Sequence, residues 1–103
     1  MPPTETDTGR RFAGPALTEW IITRDRTCRA PGCLRPARTA DIDHTIRHAD
    51  GGLTTHTNLG ALCRHHHVLK DATGHVTVSQ PSPGIFVWRL PSGRTYEVHP
   101  DPD

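Results

Sequence analysis

Three cysteines and a run of histidines constrain this chain more than anything else in it. Cys28 and Cys33 form a Cys-x4-Cys pair, and Cys63 opens the run Cys63-Arg64-His65-His66-His67. Six of the eight histidines fall between His44 and His67, while the five aromatic residues (Phe12, Trp20, Phe86, Trp88 and Tyr96) all lie outside residues 21–84. The middle of the chain therefore has no aromatic side chain to pack around. A chain of 103 residues with 33% apolar content builds only a thin core. Small folds in that position commonly take a bound metal as support.

Cys28, Cys33, Cys63 and His66 make a Cys3His set, a common tetrahedral zinc combination. Pro31-Gly32 is a turn signal between the first two thiols, so residues 26–39 are expected to fold back as a knuckle. His65 competes as fourth ligand. His66 is better placed, because an i, i+3 pair shares a helix face with Cys63 and an i, i+2 pair does not. A structural zinc supplies roughly 10–16 kcal/mol of apparent binding energy, which becomes folding energy where the site forms only in the folded chain. The bland reading is three buried free thiols and a surface histidine. A secreted disulfide framework is disfavoured, since three cysteines leave one unpaired and Met1 begins a polar, Pro-rich stretch rather than a signal peptide. A cytoplasmic setting that keeps thiols reduced is expected, with no membrane partner.

The elements follow from pattern and punctuation. Residues 1–15 are polar and aperiodic and are expected to be a disordered lead-in. A helix over 16–25 places Leu17, Trp20, Ile21 and Arg24 on one face. A strand over 40–45 and a weaker one over 53–57 form a hairpin around Ala49-Asp50-Gly51-Gly52. Asn58 is then expected to cap a helix over 59–72, with Leu59, Leu62, Cys63, His66 and Leu69 facing inward and Gly74 ending it. Residues 16–73 form the core with its knuckle. Residues 74–103 form an extension and tail, with strands over 75–80, 85–90 and 95–98 in a β-meander.

A second metal is implied beside the first. His66 and His67 point about 100° apart on a helix, so His67 is free to face the hairpin when His66 faces the zinc. Asp43 offers a hard oxygen from the facing strand, and a divalent ion between Asp43 and His67 keeps open positions for water and phosphate oxygens. His44 points the other way along the strand and binds neither metal. A neutral imidazole there suits a general base for water. Residues 24–70 carry eight Arg and Lys against four Asp, a local excess of +4 in a chain of net charge +1. That suits a phosphate-bearing partner, as it also suits a solvated mixed surface. Arg47, Arg64 and Lys70 are the candidate DNA contacts, with Lys70 equally readable as solvated. Asp41 shares a strand face with Asp43, either as a supporting acid or simply exposed, and His48 and His56 are expected at the surface, with a DNA-facing role the less favoured reading. Asn58 is read both as a helix cap and as a bond across to the loop bearing His44.

The series Asp43-His44, Gly51-Gly52, Asn58-Leu59 and Cys63-x2-His66-His67-x2-Lys70 resembles the HNH endonuclease motif over residues 24–73. The runs RDRTCRAPGC and GIFVWRLPSGRTYEV also resemble a subgroup found at the C-terminal end of larger bacterial proteins, after a helical domain of unknown function. The resemblance implies an α+β fold: a small zinc-stabilised ββα-metal (His-Me finger) core, with a preceding helix and a C-terminal meander. It implies His44 as general base, Asn58 positioning the loop of the base, and Asp43 and His67 on a catalytic ion. That ion is magnesium or manganese, with nickel or zinc as alternatives. The activity implied is one-metal hydrolysis of DNA phosphodiester bonds, by nicking or by double-strand cutting. Where many members use two Cys-x2-Cys pairs, this chain has Cys28-x4-Cys33 and Cys63-x2-His66.

Two function classes compete. One is the endonuclease; the other is a non-catalytic zinc module that binds nucleic acid. His44 discriminates them, because a zinc module has no use for it. Contacts are expected mainly with backbone phosphates, which position a protein without reading bases. Sequence specificity is then left to a fused domain or a partner protein.

Overall fold

The computed structural model describes residues 1–72, 74 and 76–100. Thr73, His75 and residues 101–103, where the sequence placed a helix end, the start of a strand and a frayed tail, lie outside the described residues. The chain is α+β, with helices α1 (Pro15–Asp25) and α2 (Arg64–Asp71) and two antiparallel sheets. One sheet pairs β1 (Asp41–His44) with β2 (Leu59–Leu62), and the other orders β3 (Thr77–Ser82), β4 (Ile85–Arg89) and β5 (Thr95–Val98) as a meander.

Helix α1 starts with Pro15 in its first turn, where a missing N–H costs nothing, and ends at Arg26, whose φ of +64° leaves the helical region. Its inward face buries Leu17 and Ile21 against Leu59 of β2, with Trp20 and Ile42 at the margin. The opposite face of β2 meets the meander: Phe86 and Trp88 pack with Leu62, Cys63 and Cys28. Strand β2 is thus buried along its whole length. At Gly60 a Cβ would lie 2.4 Å from Phe86 Cζ, so only glycine lets the ring approach. Burying Phe86 is worth roughly 1.5–3 kcal/mol of transfer energy.

This corrects two expectations. The second hairpin strand is Leu59–Leu62, not 53–57, and the helix begins at Arg64 with Cys63 as its N-cap, ending at Asp71 rather than beside Gly74. A short apolar run such as LGAL fits a helix or a buried strand equally well by period. Pairing with β1 and the close approach of Phe86 decide for the strand. The same change removes Asn58 from any helix end.

The core also holds ionic groups. Asp25 has no exposed surface, and it receives the Arg24 guanidinium at 2.7 and 3.2 Å and the Ala61 N–H at 2.9 Å. Arg24 reaches on to the carbonyls of His56 and Leu59 at 2.8 and 2.7 Å, tying α1 to both ends of the approach to β2. Residues 1–14 form no helix or strand. They contact the loop after β1: Thr54 N–H donates to Thr8 O at 2.7 Å, and Glu5 binds the ring of His56. No helix among the described residues is long and apolar enough to cross a membrane.

Candidate active site and metal centres

The knuckle forms from local chemistry. Gly32 takes φ +73°, Cys33 N–H donates to Ala30 O at 3.1 Å, and Cys28 N–H donates to Arg35 O at 2.8 Å. Both thiols then face the start of α2, where Cys63 and His66 stand one turn apart. The four donor atoms of Cys28, Cys33, Cys63 and His66 lie within 4.8 Å of one another, a group that could hold a metal ion. His66 Nδ1 is 3.2 Å from Cys63 Sγ and 3.6 Å from Cys28 Sγ. His65 is exposed and stands outside the group. The thiols differ in acidity. Burial pushes Cys28 up to about 12. Burial also raises Cys63, but the N–H and ring of His66, with Arg35 and Cys28, outweigh it and bring the thiol down to about 6.

The second group is Asp43, His67 and Asp71, with donor atoms again within 4.8 Å of one another. Asp43 is buried on β1, and His67 and Asp71 share a face of α2 at i, i+4. His67 Nδ1 lies 2.9 Å from Asp41 Oδ2, while Nε2 lies 3.3 Å from Asp43 and 3.4 Å from Asp71. His67 thus faces the oxygens of three aspartates, and with Asp43 and Asp71 it forms a group that could hold a metal ion. Asp71 was missed in the sequence; its spacing from His67 was the available signal.

Lys70 is buried rather than solvated. Its side chain is 6% exposed, with Nζ 3.2 Å from Asp43 and 3.1 Å from the carbonyl of His44. A buried carboxylate needs a partner, and Lys70 supplies it. Burial nonetheless holds the Asp43 carboxyl above its ordinary range, against Lys70 and His67.

Asp43, His44, His67 and Asp71 line one cleft of about 520 Å³. Arg47 and Arg64 also line it and are exposed; Arg64 is 3.3 Å from Asp41. Its other wall is Arg11, Phe12 and Ala13 of the lead-in, which no sequence pattern indicated. His44 sits in neither donor group. Its Nε2 lies 2.9 Å from Thr54 Oγ, and its ring meets His48 edge-on at 5.7 Å. Burial first, then the charges of His48, Arg11 and Lys70, lower its pKa and favour the neutral ring. His48, in turn, contacts the carbonyl of Gly9 at 3.1 Å.

Asn58 holds the loop between β1 and β2 from inside. Its Oδ1 accepts the Ile46 N–H at 2.8 Å, and its Nδ2 donates to the carbonyls of Ile46 at 3.0 Å and Leu53 at 2.9 Å. The expected bond across to the loop of His44 is present; the helix cap is not. Gly51 turns the loop at φ +90°, and Gly52 admits the Ile46 carbonyl so closely that a Cβ would lie 1.8 Å from it.

Among curated proteins the chain is similar to three from Mycobacterium tuberculosis. It is 47% identical over 87 residues to "Uncharacterized protein Rv3776" of strain H37Rv, covering 82% of this chain and 16% of that protein. It is 45% identical over 86 residues to "Uncharacterized protein Rv2100" of the same strain and to "Uncharacterized protein MT2160" of strain CDC 1551, covering 82% of this chain and 15% of each. The chain thus spans about one sixth of the length of the curated relatives it matches. No protein-family model matches it. No solved structure matches it either.

Proposed function

We propose that this chain is a metal-dependent DNA endonuclease domain of the HNH kind, with β1, β2 and α2 as its ββα-metal core. The observation that carries the reading is His44: a half-buried imidazole with a lowered pKa in the same cleft as Asp43, His67 and Asp71, yet outside both candidate metal groups. A neutral imidazole is the side chain most often used as a general base near neutral pH. His44 accepts a proton from the attacking water in a one-metal hydrolysis of a phosphodiester bond. Asp43, His67 and Asp71 would hold the divalent ion, which neutralises charge on the phosphate and the leaving oxygen when bound. Two carboxylates and an imidazole fit magnesium, manganese, nickel or zinc. Lys70 holds the Asp43 carboxylate in place, and would share it with that ion. Arg47 and Arg64, exposed at the cleft, meet backbone phosphates. Cys28, Cys33, Cys63 and His66 would hold a structural zinc. The setting is cytoplasmic, and base selection is assigned to another domain or a partner.

Plasmid nicking across divalent ions, comparing wild type with His44→Ala, tests this. The variant is expected to lose about 10²–10⁴-fold in rate, with zinc content and DNA binding kept. Equal rates would leave the non-catalytic zinc module as the reading.

A further inference from the structure

Thr54 is buried, at 3% exposure, and its hydroxyl has two partners. One is His44 Nε2 at 2.9 Å; the other is the backbone carbonyl of Arg10, in the lead-in. A carbonyl oxygen can only accept. The single hydroxyl proton of Thr54 therefore goes to Arg10, and Oγ has only lone pairs to offer His44. Nε2 must then carry the proton of the neutral ring, which leaves Nδ1 bare. The three groups form a relay with one allowed direction, from His44 through Thr54 to Arg10. The lead-in is locked in place around it, by the Thr54 N–H on Thr8 O at 2.7 Å and by His48 on Gly9 O at 3.1 Å.

We propose that Thr54, backed by the Arg10 carbonyl, is a positioning residue that fixes the orientation and the Nε2–H tautomer of His44. Nδ1 is then the atom that receives the proton of water, a consequence that rests on the nuclease reading. The tautomer itself does not. The lead-in becomes part of the working site, because it supplies the acceptor that orients the Thr54 hydroxyl.

The test uses the full 103-residue chain, loaded with zinc and labelled with ¹⁵N at histidine, at about pH 8, where an ordinary histidine is neutral. Wild type and Thr54→Ser are expected to show His44 with Nε2 protonated. Thr54→Val, which keeps the shape and loses the hydroxyl, is expected to show a mixture of both tautomers. Nicking by Thr54→Val is expected to fall tenfold or more in kcat, with little change in KM, and Thr54→Ser to restore it. A wild-type ring protonated at Nδ1 overturns the proposal without any variant having to fold. So does a Thr54→Val ring that keeps the wild-type tautomer. A shifted tautomer in a protein that never nicks supports the relay and removes the nuclease reading instead.

Discussion

Replacing Asn58 by aspartate separates two ways in which that residue can serve the fold. At a helix N-terminus, Asp and Asn are nearly equivalent caps, and the exchange costs close to nothing. The structure puts Asn58 elsewhere, 9% exposed, with one bond accepted from Ile46 N–H and two donated to the carbonyls of Ile46 and Leu53. Asn58→Ala removes all three; at about 1 kcal/mol each the loss is about 3 kcal/mol. Asn58→Asp keeps the first bond and sets a second carboxylate oxygen against two carbonyls, with no proton between them. That exchange is expected to cost at least as much as alanine. For a domain of this size, 3 kcal/mol lowers the thermal midpoint by roughly 12–24 °C. Urea unfolding of the zinc-loaded protein, at fixed zinc and pH 7, reads the difference, with an unchanged slope expected for both variants. An aspartate variant within about 0.5 kcal/mol of wild type would refute this account of the loop.

The remaining expectations concern charge and metal. Cys63→Ser is expected to release the structural metal and unfold the chain, read by metal analysis and circular dichroism, because roughly 10–16 kcal/mol of binding energy is folding energy in such sites. His44 has a depressed pKa, so its neutral form and its contribution to stability are both present above the ordinary value near 6.5 and are lost as pH falls through the lower value. The acid limb of the pH–rate profile should therefore lie below 6.5, and Arg11→Gln should move it up by removing one of the charges that lower it. Lys70→Met removes the cation that shares Asp43, and titration calorimetry should show divalent-ion affinity at the cleft rising about tenfold, or about 1.4 kcal/mol. Weaker ion binding in that variant would mean that Lys70 organises Asp43 rather than competing for it.

Features with a local cause were legible in the sequence. The Pro31-Gly32 turn brings Cys28 and Cys33 together from within residues 28–35, and the four-donor group follows once α2 presents Cys63 and His66. The meander was legible for the same reason, through β-branched and aromatic runs broken by Pro and Gly. What escaped depended on distant partners. LGAL carries leucines at positions that suit a helix, and its pairing with β1 and the packing of Phe86 on Gly60 belong to a strand. The buried pair Arg24–Asp25 likewise takes its meaning from Ala61 and Leu59.

The hardest features to read were those made by backbone atoms. Thr8, Gly9 and Arg10 offer carbonyls to Thr54 and His48, and any residue type would offer the same groups. A polar, aperiodic lead-in therefore carries no pattern for its docking, although it forms one wall of the cleft. Lys70 shows the converse case. Its charge was visible, but its burial follows from that of Asp43, since a buried carboxylate left without a partner is far more costly than one that is paired. The site is thus read in two stages: residue types name the groups that do chemistry, and burial decides which charges those groups must face.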